Sequence, residues 1–135
     1  MYLSVALQHR LQMVISVLTY SYALFFGMWG IDKFLAVSRT QWIEYVSPTV
    51  QALFPIPVDW IVYGMGMIQC IVSVMMVVPR TRQTGCAIAT VYLILVAIDM
   101  VFSQVFISRT SLYLMVSVGS FALYQLLVIH NEVKA

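Results

Sequence analysis

The sequence has 135 residues, of which 62% are hydrophobic and only 9% are charged, and its formal net charge is +2. A soluble domain carries about 25% charged residues, so this composition excludes an ordinary soluble globular fold. The small, scattered positive charge gives no reason to expect nucleic acid as a partner. We therefore predict a single integral membrane domain over residues 1–135, with the lipid bilayer as its surroundings.

Charged residues divide the chain into four long apolar segments, and only Asp99 interrupts one of them. Each segment has about the 20 residues that a helix needs to cross a hydrocarbon core of roughly 30 Å. The predicted transmembrane helices, TM1 to TM4, cover residues 11–33, 58–79, 84–107 and 110–130. Tight turns join TM2 to TM3 and TM3 to TM4, and short connections force antiparallel neighbours. The predicted fold is an all-α, up-down-up-down four-helix bundle.

The segment between TM1 and TM2 is the only sizeable stretch predicted to lie outside the membrane. Ser47 followed by Pro48 is typical of a helix start, with serine as the N-cap and proline in the first turn. Prolines at 55 and 57 end any such helix. Aromatic residues such as Trp42 suit the headgroup layer. We predict a short interfacial helix or re-entrant loop over residues 40–55.

Lysine and arginine give a weak indication of orientation. One side of the predicted bundle holds Arg10, Arg80, Arg82 and Lys134, and the other holds Lys33, Arg39 and Arg109. Four against three favours cytoplasmic termini under the positive-inside rule. The predicted location is the bacterial cytoplasmic (inner) membrane.

Small and weakly polar residues recur at helical spacing on all four predicted spans. Membrane helices use such residues to approach closely and to form hydrogen bonds. These stripes indicate either plain packing faces or the wall of a polar cavity between the helices. The side chains expected to line that cavity are Tyr20, Tyr63, Tyr92, Tyr113, Tyr124 and Gln69.

Asp99 lies well inside TM3, where a charge costs roughly 2.5–3.5 kcal/mol on insertion scales. It should therefore face protein or water. The other charges near the outer helix ends complete a predicted buried ion network of Asp99, Lys33, Arg109, Asp59 and Asp32. Lys33 is the expected partner of Asp99, with Arg109 as the alternative. An unpaired Asp99 would be neutral and would donate a hydrogen bond to a tyrosine or a ligand. The network is either a structural lock or a site that handles protons or a ligand.

The sequence contains no nucleotide, phosphate or hydrolase motif, and no cysteine pair with redox spacing. His9 and His130 lie at helix ends, which makes a bis-histidine haem a weak alternative. We predict no catalytic residues, no metal and no cofactor held by this chain, although a bound lipid or quinone would suit the predicted interior.

Several short patterns are similar to the DoxX-like family of small bacterial membrane proteins. Gly30-Ile-Asp-Lys33-Phe resembles the family's Gly-x-x-Lys signature, and the resemblance extends to the proline-containing loop, the Thr81–Arg82 turn and Arg109. Two positions depart from the family pattern. Gln69 stands where members often carry an acid, and Thr110 stands where an aspartate follows the arginine.

The resemblance implies a four-helix membrane subunit that accompanies oxidoreductases, thiosulfate:quinone oxidoreductase being the family's namesake context. We therefore expect a non-enzymatic accessory subunit whose partners are other subunits of a larger membrane oxidoreductase or respiratory-type complex. The alternative is a small transporter, or a bundle that binds quinone or lipid.

Overall fold

The structure is a computed structural model that describes residues 4–102 and 107–134, without the side chains of residues 36–39, 102, 107–111 and 133–134. Helices account for nearly all of this part of the chain. In order, they are α1 (Val5–Asp32), α2 (Ala36–Glu44), α3 (Pro48–Leu53), α4 (Val58–Val77), α5 (Arg82–Phe102) and α6 (Ile107–Lys134).

Four helices, α1, α4, α5 and α6, are long and apolar enough to cross a membrane, as in a multi-pass membrane protein. The prediction of four membrane-spanning helices is confirmed to that extent. Their bounds differ from the predicted ones by a few residues. The largest difference is at α1, which begins six residues early because the Ser4 hydroxyl caps it, accepting a hydrogen bond from the Leu7 N–H at 3.4 Å.

Two short helices fill the segment between α1 and α4, and together we call them the α2–α3 cap. The predicted helix start at Pro48 is confirmed, since the Ser47 hydroxyl accepts a hydrogen bond from the Val50 N–H at 3.2 Å. The helix ends at Leu53, just before Pro55. Proline cannot donate the backbone hydrogen bond that would continue it.

Helices α1 and α4 approach each other closely at a contact that we call the α1–α4 interface. A Cβ atom added at Gly30 would lie 2.9 Å from the carbonyl oxygen of Gly66, so neither glycine leaves room for a side chain. Two turns away, the Ser73 hydroxyl donates a hydrogen bond to the carbonyl oxygen of Ala23 at 2.5 Å. Small residues thus bring these two backbones together.

Helices α5 and α6 complete the bundle, with the core between all four long helices. Its fully buried members include Phe26, Val72, Met76, Ala89, Leu93 and Leu123. Contact between α1 and α6, the α1–α6 interface, depends on large rings: Trp29 stacks on Tyr113 with centroids 4.8 Å apart, and the Tyr22 hydroxyl donates to the carbonyl of Val116 at 3.3 Å.

The turn between α4 and α5 is held by side chains that cap α4. Arg82 donates from Nε to the carbonyl oxygen of Met76 at 3.0 Å and from Nη2 to that of Val77 at 3.3 Å. The Thr81 hydroxyl donates to the carbonyl of Met75 at 2.9 Å. These bonds satisfy carbonyls that the end of a helix leaves without a partner. We call this end of the bundle the turn end, and the opposite one the cap end.

Candidate functional site

A buried lysine occupies the centre of the cap end. Lys33 follows the last residue of α1 and is 1% exposed. Its Nζ donates to Gln69 Oε1 at 2.7 Å and to the carbonyl oxygen of Trp29 at 3.3 Å. The same nitrogen lies 3.6 Å from the centroid of the Trp42 ring. A buried ammonium group is tolerated only with such partners, and the ring face adds a cation–π attraction.

Gln69, in the middle of α4, is fully buried, and only one of the two polar atoms of its amide is hydrogen-bonded. Its oxygen faces Lys33, which leaves its Nε2 buried without a hydrogen-bond partner. Turning the amide over would place two donors against each other, so the pairing with Lys33 fixes its orientation.

The α2–α3 cap is fastened to this cluster by two acidic residues. The Trp42 indole N–H of α2 donates to Asp32 Oδ2 at 2.7 Å. Asp99 of α5 accepts from the Ser47 N–H at 3.3 Å and from the Ser47 hydroxyl. Ser47 therefore joins α5 to the start of α3, because its hydroxyl also caps that helix.

The structure arranges the predicted ion network differently from the expectation. Among the described residues, Lys33 forms no ion pair with Asp99; its amine is taken by Gln69, while Asp99 is bonded to Ser47. Both side chains nevertheless line one cavity of about 10 Å³, which is close to the space of one water molecule. Asp59 lies in the first turn of α4, where a helix favours an acid. The side chain of Arg109 lies outside the described part of the chain.

The tyrosines expected to line one cavity lie in separate surroundings. Tyr20 is 56% exposed and borders an open groove of about 410 Å³ between α1 and α4, apart from the other predicted tyrosines. Gly27 lies seven residues after Tyr20, on the same side of α1, and is half-buried. The larger side chain of Tyr20 extends outward from that side of the helix. Tyr63 stacks on Phe34, and Tyr124 on Phe121.

Tyr113 and Tyr92 do face the interior. Tyr113 is buried against Trp29, and the hydroxyl of Tyr92 is buried without a hydrogen-bond partner. Tyr92 and Asp99 also border an apolar groove of about 390 Å³ between α3, α4 and α5. Within residues 4–102 and 107–134, no three His, Cys, Asp or Glu side chains lie together as metal ligands would.

The chemistry of the cluster is chiefly that of attachment. Its bonds to Gln69, Asp32 and Asp99 join α1 to α4 or the cap to the bundle. Sequence reasoning did not identify Ser47 and Trp42 as members of this site. The available signals were that a buried indole N–H needs an acceptor and that a serine N-cap has a hydroxyl proton left to donate.

Compared with known proteins, the chain matches no family model, no curated protein and no solved structure.

Proposed function

We propose that this chain is a non-catalytic subunit of a larger membrane assembly. The observation that carries the proposal is the contrast between its cap end and its flanks. Lys33, Asp32 and Asp99 are bonded within the chain, where they fasten helices. The flanks of all four long helices present large apolar side chains, among them Leu24, Ile71, Val91 and Met115. Such surfaces are suited to lipid and to the helices of other subunits.

The proposed arrangement is antiparallel, with the α2–α3 cap in the membrane interface. Gly27 of α1 lies beside Ser73 of α4, and Gly30 lies beside Gly66, so residue numbers rise along one helix and fall along the other. Trp60, 66% exposed beside the cap, is a residue that settles in the headgroup layer. We place the chain in the bacterial inner membrane with cytoplasmic termini.

The proposed partner is an oxidoreductase or respiratory-type complex, by resemblance to the DoxX-like family. The residues behind that resemblance, Gly30 and Lys33, are both buried at the α1–α4 interface. Their positions support a structural role for the Gly-x-x-Lys pattern, in which it packs the end of α1 against α4, and they support no catalytic role.

Photo-crosslinking from the native membrane tests the proposal. A photoreactive residue is placed at one exposed position on each long helix: Leu24, Ile71, Val91 or Met115. We expect at least one position to yield a crosslink to a defined larger protein, and the same protein to co-migrate with the chain in digitonin. The matched control is a photoreactive residue at buried Leu93, which should crosslink only within the chain. Lipid adducts alone at all four positions, with a species of this chain only, would contradict the proposal.

The groove between α3, α4 and α5 favours a second function, the binding of a quinone or lipid. It is almost wholly apolar, Trp60 borders it, and Asp99 contributes a carboxylate at one side. Gly64 also lines it, and a Cβ there would meet nothing within 4 Å. Gly64→Leu should therefore fill the groove without disturbing the bundle.

Titration with decylubiquinone, read as quenching of tryptophan fluorescence, separates this function from the first. We expect saturable quenching in the wild-type chain and its loss in Gly64→Leu. The control is Val74→Leu, an exposed position elsewhere on α4. Equal quenching in all three proteins would exclude the groove as a quinone site.

A further inference from the structure

A polar cavity of about 240 Å³ opens at the turn end of the bundle, away from the cluster described above. It lies between the first half of α1, the turn before α5 and the last turns of α6. Its polar lining comes from Gln12, Ser16, Arg80, Arg82, Gln83 and Asn131, with His130 beside them. None of its described lining side chains is acidic, so its field is positive.

The shape of this cavity is set by bonds already present in the chain. Arg82 is held in place by the carbonyl oxygens of Met76 and Val77. Gln83 Oε1 accepts a hydrogen bond from Asn131 Nδ2 at 3.2 Å, which links the start of α5 to the end of α6. Arg80 is exposed at the rim. An anion entering the cavity thus meets one guanidinium group that is held in place and a second one exposed at the rim. Arginine is the side chain best shaped to bind phosphate oxygens.

An apolar crevice of about 230 Å³ continues along the same α1–α6 interface. Ser21, Tyr22, Phe25 and Val116 line it, and nearly all of its exposed lining is hydrocarbon. Tyr22 follows Ser16 of the polar cavity by six residues, or about 9 Å along a helix. Between the two openings, the hydroxyls of Thr19 and Ser120 are buried without a hydrogen-bond partner. Two openings and two buried hydroxyls without a partner therefore lie along this stretch of α1 and α6.

We propose that the α1–α6 interface binds an anionic phospholipid, with its phosphate in the polar cavity and an acyl chain along the apolar crevice. The positive end matches the headgroup, and the hydrocarbon end matches the chain. Basic pockets between transmembrane helices bind anionic headgroups in this way, at about 1 kcal/mol per Lys or Arg near the surface. This site is independent of any partner subunit and of the groove beside Asp99.

Native mass spectrometry of the whole chain in dodecylmaltoside tests the proposal, with dioleoylphosphatidylglycerol and dioleoylphosphatidylcholine as the two probes. We expect preferential binding of the phosphatidylglycerol. Arg80→Gln should weaken that binding about fivefold. Arg10→Gln is the matched control, because it removes the same charge from an exposed residue of α1 that does not line the cavity. It should leave the affinity unchanged.

Two further measurements test the acyl chain. Ser21→Phe, which fills the crevice, should weaken binding of the phosphatidylglycerol, whereas Val17→Phe at another exposed position of α1 should not. Inorganic phosphate should fail to displace the lipid. Equal binding of the two lipids, equal losses in Arg80→Gln and Arg10→Gln, no effect of Ser21→Phe, or full displacement by inorganic phosphate would each overturn the proposal.

Discussion

Helix α1 packs on its two neighbours in opposite ways. At the α1–α4 interface, Gly30 and Gly66 remove the side chains, and the backbones touch. At the α1–α6 interface, Trp29 and Tyr22 hold the helices apart, leaving a crevice at one level and a polar cavity at another. The α1–α4 interface thus brings two backbones together near Gly30, whereas the α1–α6 interface leaves space beside its aromatic rings.

The largest expected effect comes from forcing a side chain into the close interface. A Cβ at Gly66 would lie 2.9 Å from the carbonyl oxygen of Gly30 and 3.2 Å from Lys33 Cβ. Gly66→Leu should lower the free energy of unfolding by about 3 kcal/mol, because backbone cannot move aside as a flexible side chain can. Unfolding in mixed detergent micelles measures the change. Gly64→Leu, two residues away on the same helix, is the control and should not destabilise. Equal losses would mean that close approach is not what distinguishes this interface.

The next largest effect tests the polar part of the close interface. Gln69→Leu removes the acceptor from buried Lys33 and should cost about 3 kcal/mol, as the loss of one partner of a buried charge does. Adding Lys33→Met removes the stranded ammonium group, so the double variant should recover to within about 1 kcal/mol of wild type. A double-mutant cycle on unfolding free energies measures the coupling. Additive losses would show that the 2.7 Å bond between these residues contributes nothing.

The smallest effects should have opposite signs for a hydroxyl that is hydrogen-bonded at the α1–α4 interface and for a buried hydroxyl that has no partner. Ser73→Ala at the α1–α4 interface breaks a made hydrogen bond and should cost about 1 kcal/mol. Thr19→Val, at a fully buried position of α1, removes a hydroxyl that has no partner and should stabilise by up to about 1 kcal/mol. Both are measured in lipid-free detergent. A loss in Thr19→Val equal to that in Ser73→Ala would show that the missing hydrogen bond does not distinguish the two hydroxyls.

The sequence alone predicted the four long helices and the start of α3, since both depend on local signals. Uncharged length determines a membrane span, and Ser47–Pro48 determines a helix start. The helical spacing of small residues left a packing face and a cavity wall as alternatives, and in the structure Gly30, Gly66 and Ser73 lie at the α1–α4 contact.

Partner choice within the polar cluster could not be predicted in the same way. Opposite charge favoured Asp99 as the partner of Lys33. In the structure Lys33 donates to the amide oxygen of Gln69, and Asp99 accepts from Ser47. The choice depends on the placement of the α2–α3 cap, which brings Ser47 and Trp42 to the cluster across gaps of 52 and 10 residues. Spacing also gives the direction of a side chain only to within one position. Tyr20 lies at the edge of the buried face and borders an open groove apart from the other tyrosines.

The bond between Ser47 and Asp99 has a consequence for biogenesis. The α2–α3 cap is synthesised before α4 and α5, but one of its two anchors lies on α5. Until Asp99 arrives, α2 is joined to the bundle through Asp32 and Lys33 at the end of α1. Asp99 in turn enters the membrane with Ser47 already made, so its carboxylate meets a hydroxyl and an N–H as soon as α5 reaches its place. Because Ser47 precedes Asp99 in the chain, the hydrogen-bond donor is synthesised before the carboxylate that it binds.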